Sequence, residues 1–379
     1  AGRRSFAHRD PDSVTDARTW LERIRSLDLP RKIRVMNVCG GHERSITMAG
    51  LRGALPDEVE LIPGPGCPVC VCPEEDIYAA IQLARNGTIV VAFGDMLRVP
   101  CTAPKAEPRS LEQAKAAGGD VRPVSSPEEV LAIAKAHPDE EVVFFAAGFE
   151  TTTAPVAGLI ANGLKAGLPP NLSILLSGRL TWPAVALLLD SDTPGFDALV
   201  APGHVSTVMG PEEWEFVPKK HGIPAAVAGF TTESLLAAFY SVLRQVIENK
   251  PFLDNCYTAV AQPGGNPTAL AVLDQVMEVT DANWRGIGVI PGSGFDLRPE
   301  LAEIDARVRF KINPDEDRKR AGEMPPGCDC ARVVLGKIYP NECILYGRAC
   351  TPRKPIGPCM VSDEGACRIW WSSGVRENV

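Results

Sequence analysis

Four cysteines near the end of the chain, Cys328, Cys343, Cys350 and Cys367, are separated by 14, 6 and 16 residues. Four thiolates converging from loops are what a 4Fe-4S cluster requires, since loops rich in Gly and Pro wrap a small inorganic cube where helices cannot. Zinc normally draws on two tight CxxC pairs. The only tight pair in this tail, Cys328-Asp329-Cys330, has one intervening residue, so zinc and purely structural thiols stand as the rival readings. Nearer the front, Cys67-Pro68-Val69-Cys70 places a CxxC at a strand-to-helix turn, where helix amides stabilise a thiolate; a redox dithiol is preferred over half of a zinc site. Cys72 either assists that pair or is a small buried hydrophobe. Cys39-Gly40-Gly41-His42 sets a thiol and an imidazole beside backbone bared by glycine. The pair reads as nucleophile and base, as two ligands of one metal ion, or as structural. A phosphate-loop reading lacks its Lys-Ser/Thr. Asp95, Glu150 and His204 each follow a predicted strand and together suggest a polar cleft. His8, His137 and His221 read as surface residues. Trp370 and Trp371 either cover the metal site or pack the terminus.

These residues belong to a chain of 379 residues and 40.6 kDa, 45% hydrophobic and 23% charged, with twelve cysteines. That is the balance of a globular protein of two or three domains. A protein of this length has core enough without disulfide staples, so so many thiols point to metal or redox chemistry in a reducing compartment, the cytoplasm. The net charge of −8 comes without any basic run, which argues against nucleic acid and membrane surfaces as partners. The longest apolar stretches, such as Val142–Phe149, are far too short to span a bilayer. Arg3, Arg4, His8, Arg9 and Asp10 leave no apolar core for a signal peptide.

Alternation of short apolar runs with helical periodicity predicts parallel sheet covered by helices. An amphipathic helix over Asp16–Leu27 precedes a strand at Ile33–Val38, a helix at Ser45–Leu55, a strand at Val59–Ile62, a helix from Glu74 to Arg85 and a strand at Thr88–Phe93. The pattern then recurs. Val142–Ala147, Leu172–Leu176 and Ala198–Ala201 run into glycine turns as the first three strands do, at offsets of 108 (Val35 to Val143) and 109 (Asp95 to His204) residues. The expected fold is therefore α/β: two similar parallel-sheet domains plus a loop-rich, helical iron–sulfur domain. The divisions are an N-terminal helical segment (1–32), a first α/β domain (33–122), its internal repeat (123–232) and a helical, iron–sulfur C-terminal domain (233–379). Cys101–Pro127 reads as connection plus helix, Ser234–Asn249 and Thr268–Val279 as helices. From Pro291 onward the loop-rich tail is expected to be held by metal rather than by packing.

Six ordered blocks make the chain resemble a known family. Cys39-Gly40-Gly41-His42, Gly64-Pro65-Gly66-Cys67-Pro68-Val69-Cys70, Phe93-Gly94-Asp95-Met96-Leu97-Arg98-Val99-Pro100, Gly148-Phe149-Glu150-Thr151-Thr152, Gly203-His204-Val205-Ser206 and Ile356-Gly357-Pro358-Cys359-Met360-Val361-Ser362 are similar to the HypD hydrogenase-maturation family. The resemblance implies a scaffold for building the Fe(CN)2CO unit of nickel–iron hydrogenase. It implies a 4Fe-4S cluster on Cys328, Cys343, Cys350 and Cys367, and transiently bound iron carrying cyanide and carbon monoxide on Cys39, with His42 close by. The implied partners are a HypC-like small chaperone, a HypE-like cyanide donor and, indirectly, the hydrogenase large-subunit precursor, with Cys67 and Cys70 as electron relay. Catalytic roles then fall to Cys39, His42, Cys67, Cys70, Asp95 and His204. The chain departs from the family at three places: Glu43-Arg44 replaces Thr-His after His42, Ala228-Gly229-Phe230-Thr231-Thr232 replaces Ala-Gly-Phe-Glu-Pro, and Cys256-Tyr257-Thr258-Ala259 replaces a Tyr-x-Arg motif. The alternative function from another class is a stand-alone iron–sulfur disulfide oxidoreductase; Cys39-Gly-Gly-His discriminates, because such a reductase has no use for an iron-binding thiol on another strand.

Overall fold

The computed structural model describes residues 15–191 and 194–376; the readings at Arg3, Arg4, His8, Arg9 and Asp10 lie outside them. Eleven strands are present among the described residues: β1 (Ile33–Asn37), β2 (Val59–Pro63), β3 (Ile89–Phe93), β4 (Val121–Val124), β5 (Val142–Gly148), β6 (Leu172–Arg179), β7 (Ala198–Pro202), β8 (Ala225–Ala228), β9 (Leu253–Asn255), β10 (Met277–Trp284) and β11 (Gly288–Leu297). They form two sheets, in the orders β2-β1-β7-β8-β9 and β10-β11-β6-β5-β3-β4. The first sheet is parallel throughout. Burial on both faces explains its near-continuous apolar strands, as it does for β5, where all seven residues are buried.

Two expectations need correction. The second sheet is mixed, because β10 and β11 form an antiparallel hairpin that joins β6 antiparallel. The hairpin escaped sequence reading because Gly288, Pro291, Gly292 and Gly294 resemble loop, and because Met277–Val279 continued the helical period of the preceding helix, Pro267–Val276. Nor does each sheet belong to one contiguous stretch. Residues 33–122 give β1 and β2 to the first sheet and β3 and β4 to the second; residues 123–232 give β5 and β6 to the second and β7 and β8 to the first. The 108-residue offset thus pairs β1 with β5, β2 with β6 and β3 with β7, and each set of four straddles both sheets. Apolar runs report burial but not which neighbour buries them.

The tail also differs from expectation. Cys330, Val333, Val334, Tyr346, Cys359, Met360 and Cys367 are buried in the same apolar cluster as Val69, Cys70, Val71, Phe145 and Phe149. Among the described residues no separate loop-rich subdomain is delineated; this segment packs against the turn after β2. On the far side of the first sheet, helices Ala17–Arg25 and Thr232–Glu248 share a core with β1 and β7.

Strand order singles out two crevices. In the first sheet the chain leaves β1 toward β2 on one side and places β7 on the other; in the second it leaves β3 toward β4 and places β5 opposite. At such switch points the loops after the strands diverge and open a ligand-sized space.

Candidate functional site

Cys39 follows β1 directly and caps helix Gly40–Met48, so the helix starts at Gly40 and not at Ser45. Three segments meet at this thiol because glycine lets their backbones touch. A Cβ on Gly66 would fall 2.4 Å from the Cys39 N and Cα, and one on Gly40 would fall 2.4 Å from the Glu364 Cβ and carbonyl oxygen. The Gly40 N–H donates to the Gly66 carbonyl at 3.1 Å. Cys39, Cys67, Cys359 and Glu364 consequently line one small cavity.

Removal from water within this cleft pushes the Cys39 thiol up to about 12, against the opposing effect of the His42 and Gly41 backbone N–H groups; the Glu364 carboxylate adds to the rise. A thiol so placed keeps its proton at neutral pH, and a metal that binds it displaces that proton. His42 is fully buried, and burial lowers it to about 4. Its Nε2 lies 3.0 Å from the Ala228 carbonyl, which assigns the proton to Nε2, while Nδ1 has no partner among the described residues. A neutral imidazole with a free Nδ1 lone pair is available as acceptor or ligand. Phe230 lies between His42 and His204, with ring centroids 5.0 and 4.0 Å away.

Cys67 and Cys70 are joined by a disulfide, with Cys67 capping the short helix Pro68–Val71. Cys72 faces away from the pair: its Sγ lies 3.6 Å from the Ser177 Oγ, which donates to Asp76 at 2.6 Å. Cys101 is buried in the same apolar cluster as these three, and Cys256 in the cluster beyond the first sheet.

In the tail, Cys328 and Cys330 sulfurs are 3.2 Å apart. Cys359 and Cys367 lie close enough to Cys330 to perturb its thiol, while Cys350 senses the charges of Cys328 and Cys343. A Cβ on Gly357 would strike both Cys328 and Cys330 sulfurs. The contacts therefore draw in Cys330 and Cys359, which spacing left without a role. Among the described residues, no three His, Cys, Asp or Glu side chains are arranged to hold a metal ion. The chemistry of the donor set still suits an iron–sulfur cluster: soft thiols, buried or nearly so, with Gly357 leaving room beside the Cys328 and Cys330 sulfurs.

The second crevice is of another kind. A cavity of about 830 Å³ is walled by Val69, Phe93, Asp95, Ser125, Thr151 and Pro155. Asp95 is raised, by its surroundings first and then by Asp363, and Glu364 in turn is raised by burial and by Asp95, so these acids connect the two crevices. Glu150 is fully buried, accepts from the Thr181 N–H and hydroxyl at 2.7 and 2.9 Å, and is pushed up to about 7 by burial. Glu213, next to it, is held at about 8 by burial and by Glu150.

Sequence reading passed over Glu364 and Phe230 as site residues. Glu364 stands three residues before Cys367, the signal that was available; Phe230 lay in the block Ala228–Thr232 matched to the family, but almost two hundred residues from His42 nothing in the sequence joined the two. The Glu43 departure proves to be structural: buried Glu43 takes Arg52 at 2.6 Å and the Trp370 indole N–H at 2.8 Å, tying the Cys39 helix to the tail. Trp370 thus packs the terminus on that helix, and it also lies against the apolar cluster that contains the tail cysteines. His137 bonds Glu140 and Arg122, both at 2.7 Å, and the His221 side chain is only 11% exposed, so it is not the surface residue expected. No helix among the described residues is long and apolar enough to cross a membrane.

Comparison with known proteins completes the picture. The family model HypD, described as "Hydrogenase formation hypA family", matches residues 15–374. The hydrogenase maturation factor HypD of Azotobacter vinelandii is 39% identical over 354 residues, covering 92% of this chain and 91% of that protein. The corresponding factor of Rhizobium leguminosarum bv. viciae is 40% identical over 362 residues, with 93% and 91% covered. A putative hydrogenase expression/formation protein of Methanocaldococcus jannaschii is 39% identical over 340 residues, with 90% and 92% covered. With its ordered cysteine, histidine and glycine blocks and this likeness along almost its whole length, the chain belongs to the HypD family of hydrogenase-maturation factors.

Proposed function

We propose that the chain is a redox-active scaffold on which the Fe(CN)2CO unit of nickel–iron hydrogenase is assembled before transfer toward the large-subunit precursor. Iron with its cyanide and carbon monoxide is the cargo, Cys39 its protein ligand, a HypC-like chaperone the second holder and a HypE-like protein the donor of cyanide as a thiocyanate on its terminal cysteine. The observation that supports this reading is the single cavity shared by Cys39, Cys67 and Cys359. A cargo thiol that shares a cavity with Cys67 of the redox pair is what such a scaffold needs and a stand-alone disulfide reductase does not.

The chemistry balances. Cleaving R–S–CN to R–SH and cyanide takes two electrons, and oxidation of the Cys67 and Cys70 thiols to their disulfide supplies both. Two protons are released, one taken by the departing sulfur and one by solvent. Cys328, Cys343, Cys350 and Cys367 would hold the 4Fe-4S cluster, whose chemistry is the supply of single electrons at low potential. His42, kept neutral, orients the cleft through Ala228, and Phe230 excludes water between the two imidazoles. His204 and Asp95 position the incoming group. Ten unpaired cysteines among the described residues favour a reducing compartment, the cytoplasm.

Infrared spectroscopy of the protein purified with its small partner tests the proposal, because cyanide and carbon monoxide stretches absorb where protein does not. The expected result is bands from both ligands that vanish in Cys39→Ala while the brown cluster colour remains. Bands that persist in Cys39→Ala remove the thiol from the iron.

A further inference from the structure

Behind the cleft, the outer face of the Cys39 helix carries a groove that the assembly chemistry leaves unused. Met48, at the end of helix Gly40–Met48, is 77% exposed, more than any other large apolar side chain among the described residues. It borders a cavity of about 490 Å³ shared by Arg44 and Thr47 of that helix and by Asp363, Arg368 and Ile369 of the tail. A second hollow of about 180 Å³ continues it, with Thr47 in both walls, and reaches Arg52 and Trp370. One bared apolar side chain is ordinary on a protein surface; here it stands in a groove whose rim is charged, the combination of apolar centre and polar rim that a protein contact uses.

The charge on this groove is unspent. Arg44 and Arg368 share one carboxylate, Asp363, at 3.9 and 3.8 Å, and Asp363 is itself 74% exposed. Arg52, by contrast, is already neutralised by Glu43 at 2.6 Å. Two guanidiniums with a single loosely held carboxylate leave one positive charge on a chain whose net charge is −8. The groove also lies on the two segments that meet at Cys39, since Asp363 and Arg368 flank Glu364 and Cys367. A small anion would answer the arginines and leave Met48 bare, so the occupant has to bring both a charge and apolar surface.

We propose that this groove docks a second protein whose contact segment presents a carboxylate beside an apolar side chain, the carboxylate held between Arg44 and Arg368 and the apolar group packed on Met48. The inference rests on the reading that the chain works with partner proteins, and it names the surface and chemistry of one such contact. Arg44 then selects a partner that is acidic at the matching position.

Titration calorimetry at low and high salt, with the HypC-like and HypE-like proteins of the same organism as separate probes, tests it. The parent is expected to bind one of them, more weakly at high salt. Met48→Asp is expected to weaken that binding at least ~10-fold, and Arg44→Glu with Arg368→Glu to weaken it similarly and abolish the salt dependence. Arg44 and Met48 are exposed and Arg368 is half-buried, so melting temperatures serve as the folding control. Binding by both variants equal to that of the parent overturns the docking surface alone. Failure of the parent to bind either probe ends both this inference and the partner reading. Self-association of the parent in sedimentation, abolished by Met48→Asp, gives the groove to a second copy and overturns the proposal.

Discussion

At the carboxyl ends of β1 and β7 stand a thiol and two imidazoles, Cys39, His42 and His204; at the corresponding ends of β3 and β5 stand the acids Asp95 and Glu150. Strand order around the two crevices is the same, inner strands flanked by the second member of each pair, yet one crevice is closed and the other open. Around Cys39, glycines bring three backbones together and the cysteine tail seals the cleft. Around Asp95 a cavity of about 830 Å³ remains. Topology decides where a crevice forms; the side chains at the strand ends, and what packs over them, decide its chemistry.

The sharpest way to break this contrast is to remove its central groups. Cys39→Ala is expected to bring hydrogenase maturation in a strain lacking the native protein down to background, with the melting temperature preserved, whereas Asp95→Asn costs only several-fold. Equal losses would erase the functional division between the crevices.

Acid and base should act on the two crevices in opposite senses. Glu150 holds its proton more tightly folded, at about 7, than unfolded. Its contribution to stability is therefore full below its unfolded value and is lost as the pH rises through about 7, a change on the order of 3 kcal/mol. His42, lowered to about 4, binds fewer protons folded than unfolded; its contribution is present above the unfolded histidine value and is lost as the pH falls toward about 4. Urea unfolding from about pH 4 to about pH 8 should show Glu150→Gln removing a fall in stability between the unfolded carboxyl value and about 7, and His42→Asn removing a rise between about 4 and the unfolded histidine value. A pH profile unchanged by Glu150→Gln would falsify the buried-acid account.

Glycine substitutions give the smaller effects. Gly40→Ala forces a Cβ against Glu364, and a loss of about 1–3 kcal/mol is expected. Gly94→Ala, after β3, meets nothing within 4 Å among the described residues and is expected to stay within about 0.5 kcal/mol. Thermal melts of the two variants compare the packing of the crevices directly, and similar shifts would mean that both are equally open.

Much of this was legible in the chain. The helix Glu74–Arg85 and the strand starting at Val59 stand where hydrophobic period placed them, because local periodicity and turn residues are carried by neighbours in sequence. The turns bearing Cys39, Cys67, Asp95 and His204 were readable for the same reason. The antiparallel hairpin β10–β11 was not, since its glycines and proline imitate a loop. The buried tail was not, since few of its residues are apolar in any regular period and its burial depends on Val69, Val71 and Phe149 lying opposite.

Residue types and their order therefore specified the reactive inventory: which thiols, imidazoles and acids exist, and that Cys39, Asp95, Glu150 and His204 each stand just after a strand. Folding settled the adjacencies. That Cys39 lies beside Glu364, that Phe230 separates two histidines, and that Cys359 shares a wall with Cys67 follow from contacts across hundreds of residues. Such contacts depend on shape and on the absence of a Cβ at Gly40 and Gly66, quantities that no stretch of sequence carries alone.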